Sequence, residues 1–401
     1  MKAKNNKLPI GTTRMPHFSN EIAYKRESID ERCSWITENK GVKVTWLRNF
    51  FEDPEACRGN IENLIGMVRV PVGIAGPILM NGDRAKGEFL VPMATTEGAL
   101  VTDYHIGMRV VSRSGGIRAK VLNNVIHISP VFLVKGLNEA QDLIAWIDKN
   151  FIEVKRLAEE TTKHGKLLQV EKHIFGRRLV LTFKYDAQDA HGMNMINKAT
   201  DAACKYISEK TNNRYYLRSK YTSVKIAASS NIHKGYGREV FADGVITREC
   251  LKLLRTTPEA LFEYYSSCLL VGAHSGIMGM TAHIANAIGA IYLACGQDVA
   301  DVSTSHIGIS MCEINEDKDL YVSIYIPNLL VGTVGGGTAL PTQRECLEIM
   351  ECFGNEKADR FAEIIAATCL AGELSVLSSV ITNRFVQAHE KLGRNKPGQP
   401  I

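Results

Sequence analysis

Between Leu269 and Asp301 the chain reads LLVGAHSGIMGMTAHIANAIGAIYLACGQDVAD, and few folds can absorb such a stretch. Small or short residues recur at helical spacing (Gly276, Gly279, Ala282, Asn286, Gly289), while Leu270, Ile277, Ile284, Ile288 and Ile291 cover the other sides. A helix apolar on all sides lies either at a domain centre or in a membrane, and this one is long enough to span. His274, Ser275, His283 and Asn286 argue against lipid, where unpaired polar groups are costly. Interior glycines cost about 1 kcal/mol each relative to alanine, so they signal close approach of other backbone. The pattern therefore predicts one buried central helix that ends at Gly296 and presents Gln297 and Asp298 beyond it. A carboxylate at the end of so apolar a segment is where a raised pKa is expected.

At 401 residues there is room for two or three domains, and 45% hydrophobic with 23% charged residues is an ordinary globular composition. The net charge of +5 is mild and the basic residues form no block. That suits phosphorylated small molecules and excludes nucleic acid and membrane as expected partners. Ten scattered cysteines without a CxxC point to reduced, core-filling thiols in a cytoplasmic protein, with no metal expected. The basic start, MKAKNNKLPIGTTRMP, has no apolar signal-peptide core.

Along the chain, residues 1–57 read as a helical accessory segment closed by the break at Asp53-Pro54. Residues 58–129 and 217–401 read as a large domain. In it, GNIENLIGMVRVPVGIAGP from Gly59 predicts short strands and tight turns. EFLVPM from Glu88 predicts a strand, and Thr95-Thr96 a cap for a helix through Leu100 and His105, with Glu97 in its first turn. Residues 130–216 switch to strand, amphipathic helix (Asn138 to Thr162), two strands, helix (Met193 to Lys210) and short strand at Tyr215-Tyr216. That β-α-β-β-α-β order predicts a ferredoxin-like insert, so the fold class is α+β: a large domain around a buried central helix with a nucleotide-binding insert.

Several short stretches can be read two ways. DAQDAHGMNMINKAT from Asp186 puts a glycine at a helix start, where backbone N–H groups can meet phosphate oxygens; a simple turn gives the same pattern, and GxGxxG is absent. VGTVGGGTALPTQ from Val331 suits a closely approaching ligand or a flexible hairpin. Lys225, between Val224 and Ile226, is either half-buried and perturbed or pointing outward from a strand. His389, near the end of a helix running from Ala358 to Leu392, reads by itself as a surface residue offsetting the helix dipole.

Taken in order, ENLIG from Glu62, PVGIAGP from Pro71, VPMATTEG from Val91, DAHGMNM from Asp189, AHIANA from Ala282, IYLACGQD up to Asp298, GTVGGGT from Gly332 and AGELS from Ala371 resemble the 3-hydroxy-3-methylglutaryl-coenzyme A (HMG-CoA) reductase family, in its class I branch. The resemblance implies a homodimer with a shared active site that reduces an acyl thioester to a primary alcohol with two hydrides from NADPH. It gives Lys225 the developing oxyanion, Glu97 proton donation, Asp298 the tuning of both, and His389 the protonation of the departing thiolate, with Asn286 in support. Cofactor contacts fall by resemblance on Asp189, Ala190, His191, Gly192, Met193, Asn194 and Met195, on Gly335 and Gly336, and on Arg394.

Departures from the family cluster at the acyl and coenzyme A contacts. Val224 and Ile226 stand where the family has an Asp and a Lys around its catalytic lysine, and Ile128 where it has an Arg. Arg218 replaces a Ser, Cys268 a Lys, and His105-Ile106 an Asn-Arg pair that contacts coenzyme A. Losing charged partners for a buried carboxylate weakens its binding by several kcal/mol. The expected substrate is accordingly an acyl thioester of coenzyme A, or of a phosphopantetheine carrier protein, with an altered acyl group. An authentic HMG-CoA reductase forming mevalonate is the alternative. A non-catalytic nucleotide- or acyl-binding homologue is a third reading, against which Glu97, Lys225, Asp298 and His389 count.

Overall fold

The structure is a computed structural model. It describes residues 14–50, 52–162 and 165–392, apart from the side chains of residues 388, 389, 391 and 392. The described strands are β1 (Val72–Asn81), β2 (Lys86–Ala94), β3 (Arg118–Ile128), β4 (Val131–Leu133), β5 (Lys166–Phe175), β6 (Arg178–Asp186), β7 (Tyr215–Tyr216), β8 (Gly237–Ile246), β9 (Ile309–Ile314) and β10 (Leu320–Leu329). β1 and β2 form an antiparallel hairpin, and the other eight make one antiparallel sheet in the order β7-β4-β6-β3-β8-β10-β9. β3 and β4 follow one another along one edge of β6, separated by Ser129 and Pro130, and β5 runs along the other edge. β8 reads as a half-buried strand, with Arg238, Val240, Ala242, Gly244 and Ile246 inward and Glu239, Phe241, Asp243 and Val245 half-exposed.

The stretch from Leu269 to Asp301 is not one helix. Pro258–Ser275 stops at Gly276 in the left-handed region (φ 71°), and a new helix, Ile284–Ala294, begins after an irregular passage. Gly279 has φ 86°, and a Cβ there would meet the carbonyl oxygen of Gly308 at 2.6 Å. The glycines do mark close backbone approach, but the conformation that permits it ends the helix. Only Ile284–Ala294 is mostly buried; Leu270 and Val271 on the first helix are exposed.

The central position belongs to Ala358–Ile381, 24 residues with buried positions on every side. It is the one described helix long and apolar enough to cross a membrane, and 72% of its apolar window is buried inside the protein. Leu100–Arg113 crosses it closely because small residues sit at the contact. A Cβ on Gly107 would lie 2.0 Å from the Ala371 carbonyl oxygen, and one on Gly372 would lie 2.1 Å from the Tyr104 ring. Two buried carboxylates on the central helix gather loops around it. Glu363 accepts the N–H groups of Arg84 (2.9 Å) and Ala85 (2.7 Å) from the β1–β2 turn. Glu373 accepts those of Ala282 (2.7 Å) and His283 (2.8 Å), with the Ser310 hydroxyl at 3.2 Å, at the start of Ile284–Ala294. Burial pushes both carboxyls up, against these bonds.

A second core lies among β4, β5, β6 and the helices Leu137–Lys149, Phe151–Glu159 and Met193–Thr211. The first expected helix of this region is split at Asn150, whose side-chain amide donates to the Trp146 carbonyl at 2.7 Å. A third, small core gathers Ile29, Cys33 and Leu64 around the helix Arg26–Lys40. His127 is 1% exposed and neither ring nitrogen has a hydrogen-bond partner. Burial first, then Lys234 and Lys184, hold it at about 4 against an ordinary 6.5. The unfolded chain therefore binds the extra proton between those values, and folding stability falls as pH drops from 6.5 to 4. The loss should reach about 3 kcal/mol, at 1.36 kcal/mol per unit. Urea melts of wild type and His127→Phe across that range measure it; the variant should lose this part of the slope.

Candidate active site

Three separate stretches converge beside the turn at the start of Met193–Thr211. Ala190 forms a parallel bridge with Val334, and the Thr333 N–H donates to the Asp189 carbonyl at 2.9 Å. Gln297 clamps Gly332 on both sides, accepting its N–H at 2.8 Å and donating to its carbonyl at 3.0 Å. Gly296 and Gly337 meet backbone to backbone: a Cβ on Gly296 would fall 2.3 Å from the Gly337 oxygen. Through these contacts the end of Ile284–Ala294 carries Asp298 to the rim of the turn.

Lys225 completes the group. Its loop is fastened by buried Asn231, which accepts the Ser223 hydroxyl at 2.7 Å and donates to the Ser223 and Ile226 carbonyls at 3.1 and 3.3 Å. Ser223 and Lys225 both take positive φ (50° and 55°), a conformation that non-glycine residues hold only where surroundings impose it. From there the Lys225 ammonium donates to Asp298 Oδ2 of its own chain. Burial alone would raise the Asp298 carboxyl, as its apolar approach suggests. The bonds from Lys225 and the Ala300 N–H outweigh it, so the group sits below the usual carboxylate value. The expected raised value is corrected by that ion pair.

His191 and Asp301 extend the array. His191 Nε2 lies 2.6 Å from Asp301 Oδ2, and Asp301 is fully buried while the His191 side chain remains 26% exposed. One ligand atom each from His191, Asp298 and Asp301 lie within 4.8 Å of one another. Two ligands of one tetrahedral zinc, each about 2.0–2.2 Å from it, stand roughly 3.4 Å apart. The 2.6 Å contact is a hydrogen bond instead, so the group is two hydrogen-bonded pairs, His191 with Asp301 and Lys225 with Asp298. From the sequence His191 is a residue of the turn and, by resemblance, a cofactor contact, with no acid assigned to it. The acids three apart in QDVAD were its one local signal, and the pairing spans 110 residues.

The other predicted residues divide. Gly335 and Gly336 have positive φ (75° and 55°) with open space where a Cβ would be, so the turn leaves a cradle. Met193–Thr211 starts at Gly192 with no side-chain cap and no acid in its first turn, leaving its N–H groups for an anion. Asn194 is exposed beside them. The Asp189 carboxylate, by contrast, accepts the N–H groups of Glu356 (2.8 Å) and Ala358 (3.1 Å), so it caps the central helix. Met193 is buried, its sulfur accepting the Tyr236 hydroxyl at 3.0 Å, and Met195 packs against the same core. Arg394 lies outside the described residues, and His389 is described only as a position on the helix Phe385–Leu392.

Glu97 lies elsewhere in the same chain. It precedes the helix Leu100–Arg113 and is not in its first turn: Thr95 Oγ1 accepts the Glu97 N–H at 3.0 Å, and Ala99 in the left-handed region starts the helix. With Asn286, Asp103, His283, Ile106, Arg384 and Phe385 among its neighbours it lines a cavity of about 690 Å³, to which Lys225 and Asp298 do not contribute. His105 is half-buried on the same helix, and its neighbour Ile106 is the residue on the cavity wall. Tyr104, stacked on His283 at 5.0 Å, and buried Glu373 stand behind that wall. Sequence reading passed over both.

Of the apolar positions expected to face the acyl group, two do not. Ile128 is fully buried in β3 and Val224 is 7% exposed, both within the second core. Only Ile226 is half-exposed beside Lys225, while Arg218 is exposed. Val224→Asp should therefore unfold this core more readily than recruit a substrate hydroxyl. We expect a loss of at least about 2 kcal/mol for an unpaired polar group there, read by denaturant titration.

The hydroxymethylglutaryl-coenzyme A reductase family model matches residues 28–394. The 3-hydroxy-3-methylglutaryl-coenzyme A reductase of Methanocaldococcus jannaschii is 40% identical over 395 residues, covering 94% of this chain and 96% of that protein. Its counterpart from Haloferax volcanii is 41% identical over 367 residues, covering 90% and 91%. Among solved structures, the class II 3-hydroxy-3-methylglutaryl-CoA reductase from Streptococcus pneumoniae bound to NADPH matches with a TM-score of 0.66 at 21% identity, covering 82% of this chain and 89% of that one. That last likeness is one of fold. From the family match and these near-full-length relatives, the chain belongs to the hydroxymethylglutaryl-coenzyme A reductase family.

Proposed function

We propose that this chain is an NADPH-dependent reductase that converts 3-hydroxy-3-methylglutaryl-CoA to mevalonate. The observation that carries the reading is the Lys225–Asp298 pair, held at the rim of a turn whose open glycines and uncapped helix start suit a dinucleotide. The acyl group is taken from what the relatives are named for, at about two-fifths identity across nearly their whole length. Bound along Gly192 to Asn194 and Gly335-Gly336, NADPH supplies two hydrides per thioester. Lys225 Nζ leaves Asp298 for the oxygen on which negative charge develops, and Asp298 takes the ammonium back when that oxygen is protonated. Glu97 serves as a proton donor from the 690 Å³ cavity, where Asn286 orients the thioester, and His389 protonates the departing thiolate.

Because Glu97 and Lys225 face different spaces in one chain, the reading also includes a homodimer that brings one chain's Lys225 to its partner's Glu97. The insert, residues 130–216, is read as a ferredoxin-like unit; the strand order β7-β4-β6-β5 supports it.

A second reading, reduction of a different acyl thioester, is favoured by the lack of a charged side chain at Ile226, the one of the three apolar departures that stays half-exposed beside Lys225. NADPH oxidation measured with HMG-CoA and with a series of apolar acyl-CoA thioesters separates the two. Mevalonate formed from HMG-CoA with the highest kcat/KM supports the first reading. Preference for an apolar acyl group by tenfold or more overturns it in favour of the second.

A further inference from the structure

We propose that His191, held by Asp301, is a catalytic acid of this site: an imidazole that delivers a proton to the carbonyl oxygen polarised by Lys225. The inference rests on the reductase reading and adds to it a group that the reading does not use. Asp301 is fully buried, one of its oxygens accepts from His191 Nε2 at 2.6 Å, and the other has no hydrogen-bond partner. A buried carboxylate with a single partner places the whole burden of offsetting its charge on that imidazole. Asp301 thereby fixes Nε2 and the ring orientation, as an acid orients a catalytic imidazole elsewhere, and leaves Nδ1 as the nitrogen that can exchange its proton. The ring is not sealed in, since a quarter of the side chain stays exposed.

Position carries the rest. His191 sits between Ala190, bridged to Val334 of the glycine turn, and Gly192, which starts the helix whose N–H groups face the dinucleotide. The same ring is within the 4.8 Å cluster that includes the Asp298 carboxylate, itself bonded to Lys225. No other described imidazole touches this array, and Glu97, which the reductase reading brings from a partner chain, is left to protonate the oxygen formed in the second, aldehyde reduction. In the step, the hydride adds to the carbonyl carbon and the C=O π pair passes to oxygen beside Lys225 Nζ. The Nδ1 proton of His191 then goes to that oxygen, giving the hemithioacetal and a neutral ring that solvent reprotonates. One proton and one hydride are consumed, so atoms and charge balance.

The test begins without cofactor. In the isolated protein, the proton NMR spectrum should contain a far-downfield imidazole N–H from the His191–Asp301 bond, absent in His191→Gln and in Asp301→Asn. Next, kcat at saturating thioester should fall by about 10²-fold or more in His191→Gln, the scale of general acid catalysis. NADPH affinity, followed by fluorescence, should stay within about threefold, and added imidazole should restore turnover to His191→Ala. Should one variant fold poorly, His191→Met offers a side chain of similar size without a proton. Normal kcat in any folded His191 variant, or loss of turnover without imidazole rescue and with weakened NADPH binding, overturns the proposal while leaving the reductase reading intact. A wild-type protein that reduces no thioester overturns the reductase reading and this proposal with it.

Discussion

Replacing Lys225 by alanine should lower kcat by at least about 100-fold, the cost of removing one oxyanion donor. NADPH affinity should remain within about threefold. The lysine is held by Asp298 and by a loop in left-handed backbone, and its hydrogen bond goes to that carboxylate rather than to the glycine turn. Alanine removes the cation but leaves the Asn231 clamp on Ser223 and Ile226 in place. Loss of folding is therefore not the expected route to loss of activity. Lys225→Arg is the informative control. A planar fork cannot replace a point charge that must shift from a carboxylate to an oxyanion, so arginine should recover little. Steady-state turnover with a fluorescence titration of NADPH checks both statements.

Glu373→Ala should destabilise the protein by about 3 kcal/mol, since it strips two backbone N–H groups and a hydroxyl of their shared acceptor inside the core. The loss falls at the start of Ile284–Ala294, the helix that carries Asn286 into the cavity and Gln297 and Asp298 to the turn. Activity should suffer along with stability, because that helix start is the common anchor of both spaces. Burial raises the Glu373 carboxyl above its unfolded value, so its proton binds the native state more tightly and the carboxyl favours folding more at low pH than at high. Glu373→Gln keeps one acceptor oxygen and removes the charge, and should lie between wild type and alanine. Chemical denaturation of the three proteins ranks them.

The order of elements between residues 130 and 216 was legible in the sequence, and so were the stretches that meet around Lys225 and Asp298, since glycines and short polar runs mark turns locally. Legibility ends where the deciding contact is distant or where a backbone angle changes a side chain's direction. The apolar run through Gly276 and Gly279 keeps helical spacing across a break that only the packing of Gly308 explains. The resemblance puts Val224 at the acyl contact, but positive φ at Ser223 and Lys225 turns Val224 into the second core. Nothing near Asp189 announces that it caps a helix beginning 169 residues later. Nor does anything near His191 announce buried Asp301. The helix from Ala358 is legible as a helix but not as the centre of the fold, because its small residues gain meaning only against Tyr104 and Gly107.

The most direct test of the central claim is stoichiometry. With HMG-CoA as the only acyl donor, NADPH loss is followed by absorbance and free coenzyme A by thiol titration, in wild type and Lys225→Ala. The wild type should oxidise two NADPH for each coenzyme A released, and the variant should show neither change above background. Equal turnover in the two proteins, or NADPH oxidation without release of coenzyme A, would contradict that claim.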